Sequence, residues 1–189
     1  MANGKTDKGE RMKCEGYMVI TRDIAASRNF YTAVIGAQVE LDIGGHVIFK
    51  EGFSLLYEND WKSFAGLRDA DISYGHNTGQ LVFEVDDIGR FQRHLEGFTS
   101  LRLLHPVKEH HWGRRAVRLY DPDGHVVEVG ESMKVVVTRF LRQGLSPEEA
   151  AARSEFPLSF ALACKAEMER PRSAEGDAEG DAQRHGSIE

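Results

Sequence analysis

Apolar and polar positions along the first two thirds of the chain follow a pattern that occurs twice. In the first copy, residues 17–22 are rich in β-branched and aromatic types, which predicts a strand. The next segment, residues 25–35, carries an apolar stripe that includes Phe30 and Val34, which predicts a helix. Three short strands separated by glycine turns follow, at residues 38–42, 46–50 and 53–58. The pattern predicts a β-α-β-β-β unit.

The same order of elements returns further along the chain. Residues 80–85 predict a strand, and residues 88–95 predict a helix that Asp87 can cap. The strands that complete this copy are expected at residues 101–104, 115–120 and 125–129. Two copies of one unit that bury faces together are a signal at the level of the fold. They predict an α+β fold with a mixed or antiparallel sheet. Its modules are expected at residues 16–58 and 79–131, within one domain over 16–131, with a polar linker at 59–78.

The last hairpin, residues 112–131, has the most distinctive local sequence, WGRRAVRLYDPDGHVVEVGE. Pro122 presets φ for the second turn position, and Gly124 can take the positive φ that closes such turns. Glu128 then falls in a strand of valines. A carboxylate in that setting lies either on a solvent face or at a site.

The chain changes character outside the two modules. Residues 1–15 are predicted as a polar N-terminal arm, and residues 170–189 as a disordered tail, since the tail holds one aliphatic residue other than alanine. Residues 132–169 predict a helical extension, in which Ser146, Pro147 and Glu149 form a strong helix start. Its paired short helices superficially resemble the helix-turn-helix pattern of DNA-binding segments. The glutamates that lie among the arginines argue against DNA binding. We expect the extension to cover a sheet edge or a dimer seam.

Composition narrows the classes of function. The formal net charge of −6 provides no basic field for nucleic acid. The two cysteines, Cys14 and Cys164, fit neither a disulfide scaffold nor a cysteine-rich zinc site, which favours a reduced, cytoplasmic compartment. No apolar run approaches a membrane span, and the first residues lack the apolar stretch of a signal peptide. We therefore expect no nucleic-acid partner and no membrane partner.

Three segments carry a family resemblance: VITRDIAASRNFYTAVIGAQV, LVFEVDDIGRFQRHL and WGRRAVRLYDPDGHVVEV. Together they resemble the vicinal oxygen chelate superfamily, which includes glyoxalase I, bleomycin-resistance proteins, fosfomycin-resistance transferases and extradiol dioxygenases. The resemblance implies that the two modules form a cupped sheet around a pocket, often with a divalent metal and often in a homodimer. It does not select an activity, because the superfold hosts several chemistries.

The metal-ligand positions that the resemblance implies are mostly occupied by unsuitable residues. In chain order they are Gly16, Leu56 (Tyr57 or Glu58 after a register slip), Gln80 and Glu128. Glu128 matches the carboxylate of the family, whereas glycine and leucine offer no ligand atom, and an amide is a poor ligand for zinc or nickel. We expect no usual metal centre, although a carboxylate–amide set could hold a hard ion such as Mg²⁺ weakly.

Period-two alternation assigns four polar residues to one otherwise apolar face of the sheet: Glu58, Gln80, Glu84 and Glu128. This is the composition of a small-molecule pocket. The alternative is a core in which the carboxylates pair with Arg114, Arg115 or Arg118. For Glu84 the pairing interpretation is favoured, and for Glu128 both interpretations stay open.

Aromatic and histidine residues around the last hairpin give further candidates. Trp112 and Arg114 form either an aromatic wall with an anion clamp or a hydrophobic anchor with a surface ion pair. The histidines that crowd the approach to Trp112 are interpreted first as a solvated loop and alternatively as a general acid or base. They are His105, His110 and His111. His46 and His125 are interpreted as structural.

Two functional hypotheses of different class follow. The first is a protein of the bleomycin-resistance type that binds a small organic molecule in the cup or the dimer groove without a metal. The second is a metal-dependent lyase, isomerase or dioxygenase in which Glu128 is one ligand and the metal acts as a Lewis acid. No catalytic residue is assigned from the sequence.

Overall fold

The computed structural model describes residues 13–170 of the chain. Nearly all of the predicted arm over residues 1–15 and of the predicted tail over 170–189 lies outside the described residues. The chain divides into two compact units. Within the described part, the first unit contains residues 13–108 and 115–131, and the second contains residues 109–114 and 132–170.

Module 1 of the first unit is a four-stranded mixed sheet with one helix. Its elements are β1 (Tyr17–Thr21), α1 (Ile24–Asn29) with a π-helical continuation (Phe30–Ile35), β2 (Val39–Asp42), β3 (His46–Phe49) and β4 (Phe53–Tyr57). The strand order is β1-β4-β3-β2, with β1 parallel to β4 and the other pairs antiparallel. The Asp23 carboxylate caps α1 by accepting a hydrogen bond from the Ala26 N–H at 2.9 Å.

The connection between the modules contains a helix where the sequence predicts the end of a strand and a polar linker. Strand β4 ends at Tyr57, and α2 runs from Glu58 to Ala65, followed by a short 3₁₀ turn at Asp69–Asp71. The strand prediction for Glu58 is therefore wrong. Glu58 and Asp60 lie in the first turn of α2, where the helix dipole favours negative charge, and Lys62 follows Glu58 at i+4.

Module 2 repeats the topology of module 1. Its elements are β5 (Gln80–Val85), α3 (Ile88–Leu95), β6 (Leu103–Glu109), β7 (Arg115–Tyr120) and β8 (Val126–Glu131), in the strand order β5-β8-β7-β6. The prediction of a strand over residues 101–104 is corrected, because β6 runs on to Glu109 and includes His105. It also includes Pro106, which an edge strand tolerates because one side of its backbone makes no ladder hydrogen bonds.

Both modules bury the same set of alternate strand positions in one hydrophobic core. The core holds Val19, Phe49 and Leu55 from module 1, and Val117 and Val129 from module 2, with side chains of α1 and α3 between them. The opposite side of each sheet is called here its open face. The open face of module 1 carries Met18, Ile20, His46, Ile48, Ser54 and Leu56, and that of module 2 carries Gln80, Val82, Glu84, Arg118, Val126 and Glu128. The predicted α+β fold of two β-α-β-β-β modules with a C-terminal helical part is confirmed, with the sheet present as two four-stranded sheets.

The turn Asp121–Gly124 joins the two modules through its carboxylates. Asp123 accepts hydrogen bonds from the Thr21 hydroxyl at 2.6 Å and from the Arg22 Nε at 2.6 Å, both in module 1. Asp121 accepts a hydrogen bond from the hydroxyl of buried Tyr31 at 3.1 Å. Gly124 has φ +93°, as the turn requires. These contacts give the motif a structural role, which explains why it is more informative about fold than about function.

The second unit has its own small core of three helices. They are α4 (Met133–Arg142), α5 (Pro147–Ser154) and α6 (Leu158–Glu169). The predicted start of α5 is confirmed as a reciprocal cap, in which the Ser146 side chain accepts from the Glu149 N–H and the Glu149 carboxylate accepts from the Ser146 N–H. Val136, Phe140 and Ala150 are fully or almost fully buried in this core. No helix among the described residues is long and apolar enough to cross a membrane.

Candidate functional site

The open face of module 2 places Glu128 opposite an arginine. In the β7–β8 ladder Glu128 is paired in register with Arg118, and in the β5–β8 ladder it is paired with Val82. The Glu128 side chain is only 2% exposed and forms an ion pair with the Arg118 guanidinium. Gln80 donates a hydrogen bond from Nε2 to the same carboxylate at 3.2 Å and accepts one on Oε1 from Arg118 Nε at 2.9 Å. Glu128, Arg118 and Gln80 therefore each contact the other two through polar groups.

His105 extends this set from the edge strand. Its Nε2 lies 3.0 Å from Arg118 Nη1, and its Nδ1 lies 2.8 Å from the Pro106 carbonyl oxygen. The guanidinium can only donate and the carbonyl can only accept, so both contacts are hydrogen bonds only when His105 is neutral and carries its proton on Nδ1. The face therefore presents a four-residue network that orients Arg118 from two sides.

The metal positions that the family resemblance implies do not fit a metal ion in this chain. A Cβ atom on Gly16 would lie 2.5 Å from the Gly52 carbonyl oxygen, so no side chain can replace hydrogen there without a backbone shift. Leu56 offers no donor, and Glu128 and Gln80 are engaged with Arg118. Across residues 13–170, no group of three or more histidine, cysteine, aspartate or glutamate side chains has the geometry to hold a metal. The residues at these four positions do not supply the ligands of the superfamily's usual metal centre.

The open face of module 1 has a different character. It borders a cavity of about 410 Å³ whose lining combines apolar side chains, including Met18, Ile48 and Phe53, with Ser54 and three charged residues, Glu15, Glu40 and Lys50. His46 also lines this cavity, and its Nε2 is buried with no hydrogen-bond partner. A buried polar atom without a partner calls for an explanation, since most such atoms are satisfied. The cavity therefore contains one buried imidazole nitrogen whose hydrogen-bonding capacity is not used.

His46, which the sequence interpretation treats as structural, lies next to one of the positions that the family resemblance implies. It pairs in register with Leu56, so it lies on the neighbouring strand beside a position where the family places a metal ligand. The alternation of β3, with Val47 and Phe49 in the core, indicates that His46 lies on the open face. Only the strand register, which depends on the long-range pairing of β3 with β4, brings His46 next to Leu56.

The predicted pocket candidate Glu58 lies in α2 and has its own partners. Its carboxylate accepts hydrogen bonds from Lys62 Nζ at 2.8 Å and from the Tyr74 hydroxyl at 2.7 Å. These hydrogen bonds hold the pKa of Glu58 below its usual range. Burial and the hydrogen bond to Glu58 raise the pKa of Tyr74. Glu58 thus belongs to a local ion-pair cluster, whereas Gln80 and Glu128 contact each other.

Trp112 and Arg114 lie in the second unit. The His110 ring stacks on Trp112 with a centroid distance of 4.5 Å, and His111 meets the same ring edge-on at 4.7 Å. His111 Nε2 is 2.9 Å from a carboxylate oxygen of Glu155. The Arg114 carbonyl accepts a hydrogen bond from the His110 N–H at 2.9 Å, closing the turn. Both histidines pack on the tryptophan in a turn, and the side chain of His111 is 74% exposed, as expected for a solvated loop.

These features, two β-α-β-β-β modules with a polar network at the expected carboxylate position, define a protein of the vicinal oxygen chelate superfamily. The model of the glyoxalase-like domain family matches residues 14–134, and the chain belongs to that family. None of the curated proteins compared with the chain matches it significantly.

Solved structures share this architecture. A protein of unknown function from Agrobacterium tumefaciens str. C58 is 30% identical over 65% of this chain and 96% of its own, with a TM-score of 0.56. A glyoxalase/bleomycin resistance protein/dioxygenase from Nocardioides is 18% identical over 65% of this chain and 84% of its own, with a TM-score of 0.53. A glyoxalase/bleomycin resistance protein/dioxygenase family enzyme from Burkholderia phytofirmans PsJN is 18% identical over 63% of this chain and 98% of its own, with a TM-score of 0.54. At 18% identity the likeness concerns the fold alone.

Proposed function

We propose that this chain binds a small organic molecule on the open face of module 1, without the metal centre usual for its superfamily. The observation that carries the proposal is the buried Nε2 of His46, which has no hydrogen-bond partner and belongs to a residue that lines a cavity with both apolar and polar walls. Ligand pockets of this kind are mostly apolar, with a few polar groups that fix orientation.

The contacts of Glu128 in module 2 support the part of the proposal that concerns the absence of a metal centre. A carboxylate that coordinates a cation cannot also accept a close ion pair from a guanidinium at full strength, because the two cations compete for the same lone pairs. Glu128 is engaged by Arg118 and Gln80, and Arg118 is oriented in turn by His105. The other family positions, Gly16 and Leu56, bring no donor.

The chemistry of the cavity narrows the ligand class. Methionine and isoleucine adapt to flat or branched apolar groups, and a neutral imidazole nitrogen can either donate or accept one hydrogen bond. Ser54 adds one hydroxyl. The ligand that suits this lining is a small molecule with an apolar body, such as an aromatic ring, and a hydrogen-bonding group directed at His46. Polar substituents can be accommodated beside Glu15, Glu40 and Lys50.

A thermal-shift screen of small aromatic compounds tests the proposal. A compound at about 100 times its Kd stabilises the folded state by roughly 2.7 kcal/mol, which raises Tm by several degrees. We expect some compounds to raise the Tm of the wild-type protein but not the Tm of His46→Leu. His76→Leu is the matched control, because His76 is exposed and contacts Ser73 through its ring nitrogen.

The outcome that contradicts the proposal is equally specific. Hits that stabilise the wild type and His46→Leu to the same degree would show that the ligand binds elsewhere. Hits that fail with His76→Leu as well would show that the screen responds to any loss of a histidine.

Homodimer formation is a separate part of the proposal. The open faces expose large apolar side chains at Met18 and Val82, which are 41% and 52% exposed. Pairing of two copies through these faces would bury them and would deepen the cavity of module 1. Light scattering coupled to size exclusion measures the molar mass directly, and a value of one chain at micromolar concentration contradicts this part.

A further inference from the structure

We propose that a second cleft of the first unit binds a small organic anion, a carboxylate or phosphate attached to an apolar body. The cleft has a volume of about 540 Å³ and lies between helix α1 and the end of β7. It is lined by two arginines, Arg22 and Arg102, together with apolar side chains that include Phe30, Val34 and Phe98. This ligand class and this cleft are distinct from the metal-free pocket on the open face of module 1.

The two carboxylates of the cleft are engaged by donors of the protein itself. Asp123 accepts from the Thr21 hydroxyl, the Arg22 backbone N–H and Arg22 Nε. Asp121 accepts from the Tyr31 hydroxyl and from three donors in its own turn: the backbone N–H groups of Asp123 and His125 and the His125 ring. Both aspartates are thus occupied by these donors, and neither forms an ion pair with Arg102 among the described residues.

The two arginines retain donors for a ligand. Among residues 13–170, Arg102 forms no ion pair, and Arg22 uses Nε for Asp123 while its two terminal nitrogens make no hydrogen bond. A guanidinium presents its donors in a planar fork that matches carboxylate and phosphate oxygens. Within the described part of the chain, the cleft therefore has donor capacity that intramolecular contacts do not consume.

The position of Arg102 is prepared by its surroundings. Its guanidinium carbon lies 4.1 Å from the centroid of the Tyr120 ring, a cation–π contact that leaves the in-plane N–H groups outward. Gly124 makes room for it, since a Cβ atom there would lie 3.1 Å from Arg102 Nη2. An arginine held by stacking loses less side-chain entropy on binding than a mobile one.

The floor of the cleft explains why the ligand needs an apolar body. Phe30 and Val34 are 7% and 5% exposed and belong to the shared core, and Phe98 and Leu101 pack against it. A ring laid on this floor removes apolar surface from water and adds to the affinity of the anionic group. A bare inorganic anion gains only the contacts to the arginines.

A titration with phenyl phosphate, followed by ¹H–¹⁵N NMR of the full chain, tests the proposal. We expect saturable shifts for the amides of Asn29, Leu101 and Arg102. We expect Arg102→Gln to raise Kd about tenfold or more, in line with the loss of a charge-assisted pair. Arg102→Lys keeps the positive charge but loses the planar fork of donors, so we expect its Kd to lie between those of the wild type and Arg102→Gln. Arg90→Gln, an exposed arginine of α3 outside the cleft, is the matched control and leaves Kd unchanged.

Three results would overturn the proposal. The first is the absence of saturable shifts at these amides with phenyl phosphate. The second is an equal Kd for Arg102→Gln and Arg90→Gln. The third is an equal Kd for phenyl phosphate and inorganic phosphate, which would reduce the cleft to a nonspecific surface charge. Because His46→Leu is expected to leave this Kd unchanged, the cleft and the module 1 pocket fail or succeed independently.

Discussion

The two modules of the first unit have the same strand order. In each, the first and the fourth strand along the chain pair in parallel, β1 with β4 and β5 with β8. Their open faces nevertheless differ in chemistry. Module 2 presents a saturated polar network of Glu128, Arg118 and Gln80. Module 1 presents a cavity with apolar and charged lining residues and an unsatisfied nitrogen on His46. The repeated positions that face the core specify the fold, and the alternate positions are free to diverge.

The difference assigns opposite roles to the two faces. A network in which each member has partners stabilises a strand pair and offers few groups to a ligand. A cavity with an unpaired buried nitrogen is less stable than it could be and gains from a ligand that completes it.

The largest effect is expected from Arg118→Met. Removing one partner of a buried pair leaves the charge of Glu128 uncompensated, at a cost of about 3–5 kcal/mol in the free energy of unfolding. The double variant Arg118→Met with Glu128→Leu removes both charges and is expected to recover most of that loss. Urea denaturation measures both.

Glu84→Gln is the control for this prediction, because Glu84 lies on the same open face but is exposed. Its effect is expected to stay within about 0.5 kcal/mol. A cost below 1 kcal/mol for Arg118→Met would mean that the module 2 network does not stabilise the fold, and the contrast between the faces would disappear.

The hairpin turns of the two modules offer a second comparison. Asp123→Ala in the turn of module 2 leaves the buried Thr21 hydroxyl without that partner and removes the link to module 1, so we expect a loss of about 2–3 kcal/mol. The ion pair of Asp123 with Arg22 adds less, because the Arg22 side chain is 59% exposed. Glu51→Ala, in the equivalent turn of module 1, removes an exposed carboxylate and is expected to cost less than 1 kcal/mol. Equal losses would contradict a joining role for Asp123.

The sequence predicts much of this architecture because its signals are local. The helix caps at Asp23 and Ser146, the turn at Asp121–Gly124 and the alternation of β5 and β8 depend on neighbours in the chain, and the structure has them where they were expected. The length of β6 could not be predicted, because Pro106 reads locally as a strand breaker and only its edge position makes it acceptable.

The site is less predictable than the fold for a physical reason. Whether Glu128 meets a metal or an arginine depends on the register of β7 against β8, which places Arg118 directly opposite. The sequence allowed either outcome. The role of His46 depends on the absence of a partner for one atom, which has no signature in the spacing of residues along the chain.

His46→Leu sharpens the comparison from the side of module 1. Replacing a buried nitrogen that has no partner with an apolar group of similar size is expected to raise the free energy of unfolding by about 1 kcal/mol, while ligand binding is lost. A stabilised protein that no longer binds is the signature of a functional residue. Chemical denaturation of this variant beside His76→Leu checks it, and a loss of more than 1 kcal/mol would identify His46 as a structural residue.

The smallest effect concerns Glu58, which lies between the modules. Lys62 and Tyr74 lower the pKa of Glu58 in the folded state. Its stabilising contribution is therefore complete above the unfolded pKa of about 4.3 and is lost as the pH falls through the lower folded value. Between about pH 5 and pH 3 the wild type should lose more stability than Glu58→Gln. Denaturation midpoints measured across this pH range test the prediction, and Glu96→Gln, at an exposed position, is the control. Midpoints of the wild type and Glu58→Gln that change in parallel with pH would contradict it.

The central claim is that Glu128 is the partner of Arg118 and not a metal ligand. Elemental analysis tests it most directly, on untagged wild-type protein and on Glu128→Gln, as purified and after incubation with Mn²⁺, Ni²⁺, Zn²⁺, Fe²⁺ or Mg²⁺ followed by desalting. We predict that neither protein retains a stoichiometric metal and that the two behave alike. One equivalent of metal in the wild type that is lost in Glu128→Gln would contradict the claim and would favour the metal-dependent enzyme of the same superfamily.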